Sequence, residues 1–167
     1  RITTADRIEA VGGDSSGEAE FVIVNAHGQL WIGVGSDHTD RKVETYGITV
    51  SKQMCDKPVA PQLWPLSEVE PHWDRLQLHS EVKIDSRSSI YQDGAVASMR
   101  SPRELISLFE RDYGPFGDGS LMFCGTLAAI GGIRPAERFE FALIDPVLER
   151  RIGHAYDVAI LPIVEAE

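Results

Sequence analysis

The sequence has no apolar run approaching the roughly 20 residues that a helix needs to cross a bilayer, and no basic start followed by an apolar core that would read as a signal peptide. Cysteine is scarce. Cys55 and Cys124 are the only two, too few for a disulfide framework, and they read as reduced thiols of a cytoplasmic protein. Positive charge is in deficit: 16 Lys and Arg stand against 26 Asp and Glu, a formal charge of −10 at pH 7. Such a surface repels phosphate backbones and anionic lipid, which argues against a nucleic-acid partner and against a membrane held through basic patches. There is no internal repeat, low-complexity tract or charge block, and Gly and Pro are scattered as punctuation, so no linker stands out. A Gly-rich dinucleotide fingerprint and a P-loop are both missing. Ser16, Cys55 and Cys124 lack a His and an acid at a spacing that would make a nucleophilic triad.

What remains is enough for one domain. At 43% hydrophobic and 25% charged residues, the composition is that of a globular protein and excludes disorder for most of the chain. A chain of 167 residues buries roughly 70% of its unfolded surface, and we expect a single domain over 1–167. The chain begins with Arg1 and not Met, which points to a fragment or a processed product.

The periodicity is mostly that of strands. Glu18 to Val24 and Gln29 to Val34 flank the turn residues Asn25-Ala26-His27-Gly28 and read as a β-hairpin. Leu76 to Ile84 alternates apolar and polar residues, so one face is buried. Leu121 to Cys124, Phe139 to Ile144 and Tyr156 to Val164 are further strands. Ser101-Pro102-Arg103-Glu104 is a capping box with Pro at the first helical position, and Leu105, Leu108 and Phe109 follow on one face. That helix should end near Tyr113-Gly114-Pro115. Ser67 to Glu70 reads as a short helical turn stopped by Pro71. The fold class is β-rich α+β.

Two segments carry acids at spacings that suggest chemistry. In Glu18-Ala19-Glu20 the carboxylates are two apart, so a strand points both to one side. The continuation is apolar on both faces, which implies a strand buried on both, with the acids at its mouth. Carboxylates there must be neutralised, paired or metal-bound, unless the strand end is exposed and carries ordinary surface charge. Oxygen-only sites favour Mg²⁺, Mn²⁺ or Ca²⁺.

The second segment, Gly33-Val34-Gly35-Ser36-Asp37-His38-Thr39-Asp40-Arg41, leaves a strand through two glycines. Asp37 completes an oxygen triad with Glu18 and Glu20. A helical turn over 37–41 would stack Arg41 over Asp37 and aim its fork at a substrate carboxylate; the alternative is a polar loop with a helix cap at Ser36 or Asp37. Zinc would need His38 with His27, a poor ligand set. Lys52 leaves an apolar stretch toward a pocket or toward solvent. Gly125-Thr126 follows a buried strand, where small residues admit a ligand or simply bend the chain.

Together these motifs resemble the catalytic domain of the fumarylacetoacetate hydrolase superfamily. Glu18-Ala19-Glu20 with Phe21 to Val24 is similar to its E-x-E strand. Gly35-Ser36-Asp37-His38-Thr39-Asp40-Arg41 is similar to its G-N-D-x-[ST]-x-R segment. Ser51-Lys52-Gln53 resembles its G-K-S lysine, Pro58-Val59-Ala60-Pro61 its C-P-L-G-P turn, and Gln92-Asp93-Gly94 the stretch after its next hairpin. Leu121 to Thr126 resembles L-I-F-T-G-T, and Ile133 to Glu137 its L-x-P-G-D turn. The order is colinear over nearly the whole chain. The wording of S-D-H-T-D-R and F-C-G-T-L-A-A-I-G-G resembles a bacterial branch, the DUF2848-like proteins.

The resemblance implies a mixed β-roll with a few short helices. It implies a homodimer that binds Mg²⁺ or Mn²⁺ through Glu18, Glu20 and Asp37, with Arg41, Lys52 and Thr126 on a small carboxylate substrate. The implied chemistry is metal-assisted hydrolysis, decarboxylation or hydration of 2-oxo or 1,3-dicarbonyl acids, with the metal as Lewis acid on a chelated enolate. The chain departs from the pattern in four places. Ser36 stands for Asn, Ser51 for Gly and Glu44 for Gln, and no His-x-x-Glu lid pair precedes Glu18. The lid segment is therefore expected to be absent, and His38 and Glu44 become the candidate general bases. A different reading of the same departures is a module that binds a small dicarboxylate without turnover.

Overall fold

The structure, a computed structural model, describes residues 1–164. The chain opens with β1 (Ile2–Thr3), β2 (Arg7–Val11) and β3 (Ser15–Ser16), then the hairpin β4 (Ala19–Ala26) and β5 (Gln29–Ser36). The short β6 (Thr39–Asp40) leads into two short helices, α1 (Arg41–Glu44) and α2 (Ile48–Gln53). Two more short strands, β7 (Lys57–Pro58) and β8 (Trp64–Pro65), precede α3 (Leu66–Val69) and a 3₁₀ segment over Glu70–Arg75. The hairpin β9 (Gln77–Ile84) and β10 (Arg87–Ala95) follows, then α4 (Pro102–Tyr113), β11 (Leu121–Thr126), β12 (Arg138–Asp145) and β13 (Arg150–Leu161).

Two sheets hold most of these strands. One is ordered β10-β9-β12-β13-β2 and the other β11-β4-β5-β8, with small ladders β1-β7 and β3-β6 beside them. The β4-β5 hairpin closes on His27 and Gly28, both at positive φ (55° and 69°), the primed turn that matches the twist of paired strands. Alternate residues of β4 (Ala19, Phe21, Ile23) and β5 (Ile32, Val34) turn into the core. There they meet Leu78 and Val82 of β9, Phe139, Phe141 and Leu143 of β12, and Ile152 and Tyr156 of β13. The other face of β4 is also closed, since Glu20 and Val22 are buried as well. This is the doubly buried strand expected from its apolar run.

The sheet-rich α+β architecture expected from the sequence is the one observed. Ser101 caps α4 by accepting a hydrogen bond from the Glu104 amide, Pro102 opens the helix, and Gly114 ends it at φ 90°. Two local expectations need correction. The turn at Leu66–Val69 does not stop at Pro71 but runs on as 3₁₀ helix through it, because Pro is tolerated in a first turn. Residues 37–41 do not form a helical turn: Thr39 and Asp40 are extended and pair with β3, and the helix starts at Arg41 with Asp40, not Ser36 or Asp37, as its cap. Lys52 sits on α2. Among the described residues, no helix is long and apolar enough to cross a membrane.

Candidate metal centre

The hairpin itself assembles the acids. Ala19 lies opposite Ser36 and Glu20 opposite Gly35 across the β4-β5 ladder. Glu18 directly precedes β4 and Asp37 directly follows β5, and the Asp37 amide donates to the Glu18 carbonyl at 2.9 Å. Carboxylate oxygens of Glu18, Glu20 and Asp37 all lie within 4.8 Å of one another. Gly35 is required by close packing here, since a Cβ would come within 2.9 Å of both Phe123 and Val59.

Each acid is held differently. Glu20 is only 5% exposed. Burial, reinforced by the neighbouring Asp37 and Glu18 charges, pushes its carboxyl up to about 7, although the Gly125 amide donates to it at 2.7 Å. Gly125 has φ 93°, a conformation that glycine adopts without strain. Asp37 feels burial too, but hydrogen bonds from Lys52 and Lys57 outweigh it and hold the carboxyl below its ordinary range. Lys57 Nζ sits 2.8 Å from Asp37 Oδ1, and Lys52 Nζ bonds Asp37 Oδ2 and reaches Glu18 Oε2 at 3.5 Å. Burial disfavours the Lys52 ammonium, yet Asp37 wins and raises its proton affinity. Glu18 also faces Arg41 at 3.3 Å.

The other sequence-predicted residues fall into two groups. Arg41 is close to the acids, but its Nε donates to Ser16 Oγ at 2.7 Å and its Nη1 to Glu44 at 3.1 Å, while its Nη2 is buried without a hydrogen-bond partner. Glu44 is correspondingly bound to Arg41. Thr126 Oγ1 donates to the Ala19 carbonyl at 2.7 Å and accepts from Gln92, which fastens β11 to β4. His38 is buried, with Nδ1 at 2.8 Å from Tyr156 Oη and Nε2 at 2.9 Å from Ser15 Oγ. Burial first, then the Lys57 and Arg41 charges, drop its pKa to about 3, so it is neutral at physiological pH. His27 is at the exposed hairpin tip. Cys124 is buried, and burial pushes its thiol well above the usual range, so it is no nucleophile.

Sequence reasoning missed Lys57 and Tyr156 in this region and gave Gln92, quoted there only within Gln92-Asp93-Gly94, no role. Lys57 was hidden because the two-residue ladder between β1 and β7, with Ile2 opposite Lys57, leaves no periodicity to read. Gln92 accepts from the Ala19 amide and Ser80 Oγ, both at 2.9 Å, and donates to Thr126 and the Leu127 carbonyl. Tyr156, fully buried at the back of the site, joins His38 to Ser36 Oγ at 2.8 Å, and Ser36 in turn accepts from the Glu18 amide at 3.3 Å. Removing that hydroxyl leaves two buried polar groups short of a partner. Tyr156→Phe is therefore expected to cost about 1–3 kcal/mol, read from the urea midpoint; an unchanged midpoint would show the linkage to be idle.

A family model described as "Protein of unknown function (DUF2848)" matches residues 1–156. The chain belongs to this family. Solved structures of similar shape include 2-keto-3-deoxy-D-arabinonate dehydratase complexed with magnesium and 2,5-dioxopentanoate, with TM-score 0.68 and 15% identity over 96% of this chain and 59% of that one. Another is Cg1458, with TM-score 0.67 and 13% identity over 95% of this chain and 64% of that one. At these identities the likeness is one of fold. The DUF2848 family member thus spans about three fifths of the length of the structures it matches. No curated protein matches the chain significantly.

The donor set of this DUF2848 chain fits a hard divalent cation. It offers oxygen only, from three convergent carboxylates, and one of them is buried too deeply to ionise freely at neutral pH without a counter-charge. Two cavities border the cluster. One, of about 220 Å³, is lined by Glu18, Tyr91, Gln92, Thr126 and the Leu127 to Ala129 loop. The other, of about 420 Å³, is lined by Asp37, Lys52, Lys57, Leu121 and Phe123, with Arg1 and Ile2 at its rim.

Proposed function

We propose that this protein is a divalent-metal-dependent enzyme of the fumarylacetoacetate hydrolase type, acting on 2-oxo or 1,3-dicarbonyl carboxylic acids by hydrolysis, decarboxylation or hydration. The observation that carries the proposal is the convergence of Glu18, Glu20 and Asp37 within 4.8 Å, with Glu18 lining one cavity and Asp37 the other. The magnesium bound to a dehydratase of similar fold, in a complex with a dioxo acid, supports the same reading.

Glu18, Glu20 and Asp37 would hold Mg²⁺ or Mn²⁺, which when bound supplies Lewis acidity toward the oxo group of a substrate. The rest of the work falls to the chain. Lys52 carries a charge at the open side of the cluster and meets a substrate carboxylate. Arg41 keeps Glu18 in place through its own contacts to Ser16 and Glu44. Thr126 and Gln92 shape one cavity wall and hold Ala19, the residue between the two glutamates. His38 keeps both ring nitrogens engaged inside the protein and acts by positioning the neighbouring Asp37. Glu44, partly exposed and next to Arg41, is the proposed base.

The test is calorimetric titration of the metal-stripped protein with Mn²⁺, followed by a turnover screen of 2-oxo acids. A single Mn²⁺ site that weakens at least about tenfold in Glu18→Gln is expected. A protein that takes up no Mn²⁺ would overturn the reading.

A further inference from the structure

We infer that Lys57, together with Lys52, is the anion-receiving pair of this site, so that the acidic group of the ligand enters the larger cavity and not the fork of Arg41. The inference rests on the preceding reading of the carboxylate cluster as a ligand site, and it assigns that ligand's orientation to a residue outside every motif that marked the site.

Four observations carry it. First, Lys57 is a nearly buried cation, its side chain 12% exposed. A buried ammonium is costly unless it is paired, and its position here is built: Lys57 sits in the β1-β7 ladder and donates to the His38 carbonyl and to Asp37. Second, an ammonium carries three donors. Among the described residues, two of those on Lys57 are engaged, which leaves one for a ligand. Lys52, a third exposed, divides itself between Asp37 and Glu18 in the same way.

Third, the two cavities differ in sign. The larger is lined by Lys52, Lys57 and Arg1, with Asp37 as its one acid and with Leu121 and Phe123 as an apolar wall. The smaller is lined by Glu18, neutral polar groups and apolar residues, and by no cation. An anion with an apolar or weakly polar body fits the first and is repelled by the second. Fourth, Arg41 lines neither cavity: its Nε and Nη1 are held by Ser16 and Glu44, and its buried Nη2, which makes no hydrogen bond, faces Glu18 at 3.3 Å. A bidentate clamp on a ligand would require it to abandon those partners.

The ligand chemistry that follows is a small carboxylate whose acid end lies against Lys57 and Lys52 and whose carbon skeleton rests on Phe123 and Leu121. Arg41 is then a positioning residue for Glu18, and Lys57 is a specificity-determining one.

The experiment uses oxalate as the probe, because its paired carboxylates mimic the head of a 2-oxo acid. The full chain, metal-stripped and then with saturating Mn²⁺, is titrated with oxalate beside Lys57→Met, which keeps the length and apolar stem of the side chain. Oxalate affinity should fall about tenfold or more in Lys57→Met, as expected for a lost charge-assisted hydrogen bond, while Mn²⁺ still binds. In the wild-type protein, oxalate should also slow acetylation of Lys52, the more exposed member of the pair, but not of exposed Lys83, as read by peptide mass spectrometry; this arm needs no variant to fold. Equal oxalate affinity in Lys57→Met, or an acetylation rate untouched by oxalate, would overturn the inference. Binding of Mn²⁺ without any binding of oxalate would overturn it too and leave the metal reading standing. Oxalate held through Lys57 by a protein that takes no Mn²⁺ would support it and overturn the metal reading instead.

Discussion

Glu20→Gln is expected to abolish the metal site and at the same time to stabilise the metal-free protein at pH 8. The two effects have one cause. In the folded chain the Glu20 carboxyl keeps its proton up to about pH 7, against about 4.5 for an unperturbed one. The folded state therefore binds the proton more tightly than the unfolded state. Its advantage is complete below pH 4.5, erodes as pH rises, and is gone above 7, where a buried anion costs about 3 kcal/mol. Gln is neutral throughout and still accepts from the Gly125 amide. At pH 8 the variant should melt roughly 6–12 °C higher than wild type, and at pH 4 the two should coincide. A variant that melts no higher at pH 8 would mean that a lysine already neutralises Glu20. In the Mn²⁺ titration the same variant should lose at least about a hundredfold in affinity, more than an outer-shell change costs. Wild-type affinity should itself fall about tenfold per pH unit below 7, since the metal must displace the Glu20 proton.

Asp37→Ala should do the opposite to stability. It strands the Lys52 and Lys57 ammonium groups, each of which leans on Asp37. Breaking a buried pair costs about 3–5 kcal/mol; with Lys52 a third exposed and screened by solvent, about 3 kcal/mol is expected at pH 7. Adding Lys57→Met to Asp37→Ala should recover part of that loss, because the uncompensated charge goes with it. The pH dependence has its own sign. The Asp37 carboxyl is held below its ordinary value, so its contribution is present above about pH 3.8 and is lost as pH falls further. Urea denaturation of the four combinations checks this. Additive losses would show that the lysines find other partners. Full Mn²⁺ affinity in Asp37→Ala would remove Asp37 from the proposed ligand set.

How much of this was legible depends on how local each cause is. The β4-β5 hairpin was, because the apolar runs flank a turn whose two central residues tolerate positive φ. The start of α4 was, because Ser101 and Pro102 act within one turn of it. The acids of the site were legible for the same reason: Glu18, Glu20 and Asp37 sit at facing ends of one hairpin. Helix α2 was not, since Ile48-Thr49-Val50 has the β-branched composition of a strand and is helical only in its tertiary setting. The first half of β10 was not, since Arg87 to Ile90 are all exposed and show no buried alternation. Lys57, Gln92 and Tyr156 were not, because their roles are fixed by partners that no spacing brings near.

The bonds that hold Glu20 and Ala19 span 105 residues to Gly125, 107 to Thr126 and 73 to Gln92. An isolated hairpin over 18–37, β4-β5 with one residue at each end, would thus carry all three carboxylates and form in microseconds, yet hold none of them in place. The site matures only when β11 and β10 arrive, so its clock is the slow closure of long loops and not the fast closure of the hairpin. Metal added to a refolding chain would meet a loose chelator first and a shaped one last. Late metal uptake would then serve as a timer for completion of the fold.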